Sequence, residues 1–408
     1  MVLSAFMPSV TGMNAQAHAM GTVSSNIANM RTVGYKSADT QFYSLLGSQP
    51  IVKGNPSTGL QSSRVDISGV GYYDRTGIDK QGIIAITGNP YDVAINGTGN
   101  AFFVLSDPSG KQYYTRAGDF NTRSENDIPH LVSKNGLYLQ GFKATSNGVF
   151  EGGLSNITID YPNRVPSVET TKFQLVANVP STGVDRATYG LTFYGQDNDG
   201  KNVVMVFNKV DSKVNTWEVS FVPEDGVTTS PPVEVIFDNM GQLLSPWTTN
   251  VEIAWADGTT NAVEMDLSKM TQFNGSSSIQ NIWQDGMPSG NFLGGFVGQD
   301  GVVRATYSNG FNLDYAKIAL VGFVAPNNLI PTSGTMFEAS AEAGGSYYLI
   351  GHDTVGGNYI SPESVENSTT NIEESFATMI MVQRAYALNS KSFTSNNEMI
   401  QLAVNLKS

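Results

Sequence analysis

The chain has 408 residues, 40% of them hydrophobic and only 14% charged, and carries a net charge of −13. That length allows roughly two to four domains of ~100–200 residues, and the acidic balance excludes nucleic acid or anionic lipid as a partner over most of the surface. With no cysteine, disulfides, thiol nucleophiles, Cys-type zinc sites and iron–sulfur ligation are excluded; His18, His130 and His352 are scattered and match no metal-ligand spacing, so no cofactor is expected.

At the N-terminus, Leu3, Val10, Ala17 and Ser24 fall at seven-residue spacing, and Phe6, Met13, Met20 and Ile27 repeat it with an offset of three. This a/d pattern predicts a helix over residues 1–30 that packs on other helices. Ala15, Ala17, Ala19 and Gly21 permit close approach. Pro8 fits poorly inside a helix, which places the regular start near Met7. Ala15-Gln16-Ala17 and Ala17-His18-Ala19 resemble cleavage sites, but no Lys or Arg precedes them and the apolar run is broken. The three-part leader is incomplete, so the N-terminus is expected to be retained. No run approaches the ~20 apolar residues of a membrane span, and no membrane insertion is expected.

Residues 31–75 read as an extended linker region. Beyond it, turn dipeptides recur: Asn96-Gly97, Asn135-Gly136, Asn147-Gly148, Asp199-Gly200, Asp257-Gly258, Asp300-Gly301 and Asn309-Gly310. Such pairs accept the positive φ of tight hairpins. Between them lie short alternating runs. Trp217, Val219 and Phe221 share one face, as do Val251, Ile253 and Trp255, then Val263, Met265 and Leu267; Val203–Phe207 is continuous. The fold class is therefore mainly β, with two or more sandwich or barrel domains. Gly294-Gly295 and Gly344-Gly345 read as loops or hinges.

From Ser364 to Ser408 there is no Gly and no Pro. A helix over 371–408 is predicted, capped by Asn371 or Thr370 with Glu373 or Glu374 completing a capping box. Ile372, Met379, Tyr386, Phe393 and Ile400 form a seven-residue seam. Its companion seam, Phe376, Gln383, Ser390, Asn397 and Val404, is largely polar. So narrow a stripe needs partner helices, either the N-terminal helix of the same chain or helices of neighbouring copies.

Catalytic constellations are not found: there is no GxSxG, no P-loop and no complete GxGxxG. Gly97-Thr98-Gly99 lacks the third glycine. Asp197, Asp199 and Gly200 suggest a calcium loop only superficially, because the later ligands are missing; a hairpin turn explains them better. The chain is not expected to be an enzyme.

The stretch Ser25–Lys36 closely resembles the N-terminal signature of the bacterial flagellar rod and hook protein family, an NxxANxxTxGYK-like segment, with Asn26, Ala28, Asn29, Thr32, Gly34, Tyr35 and Lys36 in the matching positions. Thr87-Gly88 with Asp92–Gly97, then Phe102-Phe103-Val104, Tyr114-Thr115-Arg116-Ala117-Gly118-Asp119-Phe120 and Gly136–Phe142 are similar to the family's first β region. Near the C-terminus Met379–Tyr386, including Gln383 and Arg384, is similar to its "QRxY" stretch. Gln299–Gly310 resembles the passage by which the family's longer, hook-type members return to an inner domain. Pro8 and the pair Gly12-Met13 depart from the family pattern, and without Cys the Cys–Lys crosslink of some spirochaete hooks is impossible.

The resemblance implies four regions: a helical core from 1–30 with 371–408, the linker 31–75, an inner β domain from 76–161 with 292–365, and an inserted outer β domain over 162–291. It implies a structural subunit of the extracellular flagellum. Many copies would polymerise into a flexible tube linking rod to filament, with Phe6, Val10, Met13, Met20, Ile27, Ile372, Phe376, Met379, Tyr386, Phe393 and Ile400 in the assembly core. Expected partners are copies of the chain itself, rod and hook–filament junction proteins, a hook cap and the flagellar type III export apparatus. The alternatives are a distal rod or other axial protein and, from another class, a secreted β-rich adhesin.

Overall fold

The computed structural model describes residues 2–46, 67–97, 99–145, 148–150, 152–195, 200–333, 335–349 and 358–405. His352, Asp197 and Asp199 lie outside the described residues. The molecule is mainly β, with one long helix at each end. It divides into two compact units, one of 1–160, 295–304 and 314–408, the other of 161–294 and 305–313. Residues 305–313, which sequence places with the inner region, thus group with the outer one: Ala305 and Tyr307 form a small cluster with Val165, flanked by Tyr161, Phe292 and Phe311.

Helix α1 (Val2–Ala28) runs through Pro8 instead of starting near Met7. Proline removes only one backbone donor, and the turn around it is held from outside, where Phe6 packs on Phe393 with ring centroids 5.0 Å apart. Helix α2 (Ile372–Asn405) begins where expected. Asn371 Oδ1 accepts from the Glu373 and Glu374 amides at 2.9 and 3.4 Å, which satisfies two orphan donors of the first turn. Phe6 opposite Phe393 and Gly12 opposite Asn389 make the two helices antiparallel.

The expected linker 31–75 is corrected in part. Residues 38–46 and 67–76 form an antiparallel ribbon, β1 (Ala38–Leu46) and β2 (Ile67–Thr76); residues 47–66 lie outside the described residues. Aromatic and β-branched residues drive the pairing, and Gly71 leaves room for the Tyr43 ring, which a Cβ there would meet at 2.4 Å. The ribbon lies along α1: Val70 N donates to Thr11 Oγ1 at 3.2 Å, and His18 stacks on Tyr72 and bonds Asp74 Oδ2 at 2.9 Å.

In the same unit the strand Ala101–Ser106 is buried at every position. Both of its faces are covered, so its sequence shows no alternation. Phe102, Phe323, Tyr114 and Phe337 build the core around it, with Tyr114 and Phe323 edge-to-face at 4.8 Å.

The outer unit is a sandwich of two sheets. One follows the order Gly226–Thr228, Thr248–Trp255, Thr260–Asp266, Lys172–Pro180, with Ser278–Gln284 beyond; the other is Arg186–Tyr194, Gly200–Lys209, Thr216–Pro223, Val233–Phe237, Leu243–Ser245. Their inner faces carry the alternating residues read from sequence: Trp217, Val219, Val251, Ile253, Val263 and Met265 are all buried in one cluster. The turns follow too, with Gly136, Gly258 and Gly310 at φ of 78°, 86° and 80°. The division between the two units falls between Gly294 and Gly295, the place read as a hinge, although no loop forms there. Both lie inside the strand Gly290–Val297, where flanking Phe and Val outweigh the local freedom of glycine.

Trp217 is fully buried, and its indole N–H finds no acceptor. Removing an unpaired buried donor recovers its desolvation cost, whereas truncating a buried ring leaves a cavity. Urea unfolding should therefore show Trp217→Phe costing less than about 1.5 kcal/mol, and Phe207→Ala costing about 3–5 kcal/mol.

Candidate functional site

The signature segment after α1 is a knot of buried polar contacts. Asn26, itself buried, holds the start of β1 from both sides: its Nδ2 donates to Ala38 O at 2.8 Å and its Oδ1 accepts from Ala38 N at 3.1 Å. Tyr35 OH donates to the same Oδ1 at 3.1 Å. Thr32 Oγ1 donates to Asn29 Oδ1 at 3.1 Å, and Asn29 Nδ2 donates to Ser25 O at 2.9 Å. Ala28 is exposed. Gly34 turns the chain at φ 68°, where a Cβ would strike Ala117 N at 2.5 Å, and its own N–H donates to Glu366 O at 2.7 Å. A left-handed conformation and a close backbone approach coincide there, and only glycine supplies both.

At the centre, Glu366 is fully buried and accepts three bonds: from Lys36 Nζ (2.6 Å), Arg116 Nε (2.9 Å) and Gly82 N (2.7 Å). Arg116 also donates to Ala101 O at 2.7 Å and Ile95 O at 3.4 Å, and Lys36 donates to Lys80 O. Two cations thus share one carboxylate. Burial pulls the Lys36 ammonium down from 10.5 to about 8, against the raising effect of Glu366 and with the help of Arg116. Burial likewise lowers Arg116. Thr369 continues the knot: its N–H reaches Tyr35 O at 3.1 Å, and its Oγ1 accepts from Ser37 N at 2.9 Å. The end of α1, the ribbon, the inner sheet and the approach to α2 therefore meet around one carboxylate. Lys36 is legible in the signature, but the roles of Arg116 and Glu366 are not. Their surroundings carry no local signal, since Glu366 lies among Ser364, Asn367, Ser368 and Thr369, and Arg116 between Thr115 and Asp119.

The helices place the expected seams differently. On α1 the buried face is Ser9, Gly12, Ala15, Ala19, Val23 and Asn26. Phe6, Val10, Met13, Met20 and Ile27 flank it half-buried, and Ala17 and Ser24 are exposed. Small residues win the centre because they let α2 and the ribbon approach closely. A Cβ at Gly12 would meet Asn389 at 2.9 Å, and Ser9 Oγ lies 3.4 Å from Ser392 Oγ. On α2 only Val382 is buried. Met379, Phe393 and Ile400 are half-buried, while Ile372, Phe376 and Tyr386 remain exposed, as do Gln383 and Arg384. A second seven-residue stripe, Met381, Leu388 and Leu402, is more than 60% exposed. Sequence reading passed over it because Ser395 interrupts it.

No helix among the described residues is long and apolar enough to cross a membrane, and those residues hold no cluster of metal-ligating side chains.

Four family models match: a flagellar basal body rod protein model over 9–36, the flagellar hook protein FlgE/F/G D1 domain over 94–175, the FlaE D2 domain over 154–287, and the FlgEFG C-terminal model over 361–406. The flagellar hook protein FlgE of Brucella suis is 32% identical over 405 residues, covering 98% of this chain and 97% of that protein. The chain belongs to the flagellar hook protein family. The hook protein FlgE of Rhizobium meliloti is 30% identical over 421 residues (98% and 97% covered), and that of Salmonella typhimurium is 26% identical with 98% and 100% covered. The crystal structure of Helicobacter pylori flagellar hook protein FlgE2 shares the fold at a TM-score of 0.50 and 13% identity, over 68% of this chain and 98% of that one. The hook-family chain is thus a structural subunit of the extracellular flagellar hook, which forms by self-polymerisation, and not an enzyme. The rod and adhesin alternatives are not favoured.

Two outcomes follow from the buried triad. Glu366→Gln leaves two cations facing each other without water, and should lower the stability of the helix-bearing unit by about 3–5 kcal/mol in thermal unfolding. Lys36 titrates near 8 when folded and near 10.5 when unfolded, so the folded state binds fewer protons in between. Stability should then rise with pH across that window, by up to about 3 kcal/mol, and Lys36→Met should abolish the rise.

Proposed function

We propose that the paired terminal helices are the assembly core of the hook tube, and that the buried triad is the root holding them to the inner β structure. The observation that carries this reading is the surface of α2. A helix of 34 residues with one buried side chain, and with Phe376, Met381, Tyr386, Leu388 and Leu402 exposed, is not self-sufficient in water. In a tube, α2 of one subunit covers these residues with helices of the next. Phe6 and Phe393 close the far end of the pair within a subunit, and Ile372, Phe376 and Tyr386 meet neighbours.

As a rotating tube bends, outer units slide past one another. Sliding requires interfaces without fixed ion pairs, and a surface of neutral Asn, Thr, Ser and Gly meets that need. Among the described residues the outer unit has the ion pairs Lys201–Asp257 and Lys213–Glu234, both internal. The finer partners are those expected of this family: the rod below, junction proteins and a transient cap above, and the type III export apparatus that delivers the subunits.

Phe393→Ala and Met379→Ala should reduce hooks per cell at least tenfold by electron microscopy, while the β circular dichroism of the purified chains stays unchanged. Variants that melt early yet assemble normally would overturn the role given to this seam.

A further inference from the structure

In the outer unit, the strand Ser278–Gln284 pairs only with Lys172–Pro180 among the described residues, so its second edge is open. Soluble proteins guard such edges with charge, proline or a covering element. This one has none of these: residues 270–284 contain no charged residue and no proline. A single bulge interrupts the pairing near Gln280, and Ile279, Ile282 and Trp283 are 39%, 39% and 55% exposed. The surroundings are acidic, since residues 161–294 hold 15 Asp and Glu against 7 Lys and Arg, a net charge of −8. Like-charged units repel across most of their surface and can meet at an uncharged strip.

The strand at the opposite margin of the same sheet is Gly226–Thr228. It is short, and it presents Val227 at 67% exposure beside Val222 at 51%; Thr228 Oγ1 ties it to Phe221 O at 2.6 Å. Pairing of one open edge with its own copy would close a two-fold dimer, whereas an open helical polymer needs two different surfaces. The two margins of this sheet are such a pair.

We infer that the Ser278–Gln284 edge of one subunit docks on the Gly226–Thr228 margin of a second copy, joining outer units head to tail through an uncharged apolar contact. This rests on the hook reading, which supplies the second copy as the occupant.

The absence of cysteine makes the test clean. A chain carrying Ile282→Cys and Val227→Cys, co-expressed with the parent chain to secure assembly, is treated in isolated hooks with a short bismaleimide. Covalent dimers and higher multimers on a denaturing gel are expected from the double variant, and monomer alone from each single variant. Adding Trp283→Asp should lower the crosslinked yield at least tenfold while hooks still form. Hooks that assemble yet stay monomeric would overturn this contact alone, as would an unchanged yield with Trp283→Asp. Dimers from Ile282→Cys by itself would show same-edge pairing and overturn it too. If the parent chain restored no hooks to cells lacking their own, the assembly reading would fall instead.

Discussion

A single carboxylate with two cations organises the half of the molecule that carries the helices. Glu366 has no contact with water, and it takes one hydrogen bond each from Lys36, Arg116 and Gly82. Replacing a buried ion cluster by apolar residues is often neutral or stabilising, so such clusters are poorly explained by stability alone. What this one supplies is geometry. Lys36 follows α1 by a few residues, Glu366 precedes α2 by a few, and Arg116 directly follows the strand Gln112–Thr115. The bonds have direction, whereas apolar packing does not, and they place the base of each helix against the same strands. The helices are thus fixed at their base and sparsely held along their length. Rigid polar contacts at the root and a thinly covered helix pair beyond it have that distribution.

The outer sandwich was the most legible part of the chain. Alternation of Val251, Ile253 and Trp255, and of Val263, Met265 and Leu267, matched the inner face because each sheet there has one wet side. The strand Ala101–Ser106 was less legible for the opposite reason: covered on both faces, it shows only a continuous apolar run. The ribbon β1–β2 reads as linker because neither strand has a core of its own; it is held by α1 through Thr11, His18 and Thr22, the last donating to Asp74. Arg116 and Glu366 could not be paired from sequence, since 250 residues separate them and charge pairing leaves no local period.

The helices show where periodicity misleads. Seven-residue spacing of large side chains correctly indicated that α1 and α2 pack. It singled out Phe6, Val10, Met13, Met20 and Ile27 for an assembly core; within one chain these flank the helix pair half-buried, and Ser9, Gly12, Ala15 and Ala19 take its centre. Hydrophobicity marks what must be covered; side-chain volume decides which residues face the nearest backbone. Where helices approach closely the small residues take the axis and the large ones close over the sides. The same logic leaves Met381, Leu388 and Leu402 facing outward, uncovered within one chain.

The antiparallel pairing of the two helices also bears on biosynthesis. Phe6 is made long before its mate Phe393, from which about 390 residues of chain separate it. Until Phe393 is made, α1 has the ribbon beside it but lacks its partner helix. A chain cut short anywhere before residue 393 can hold complete β cores and still lack the mate for its first helix. Only a chain that has reached α2 can therefore offer the paired helical stem.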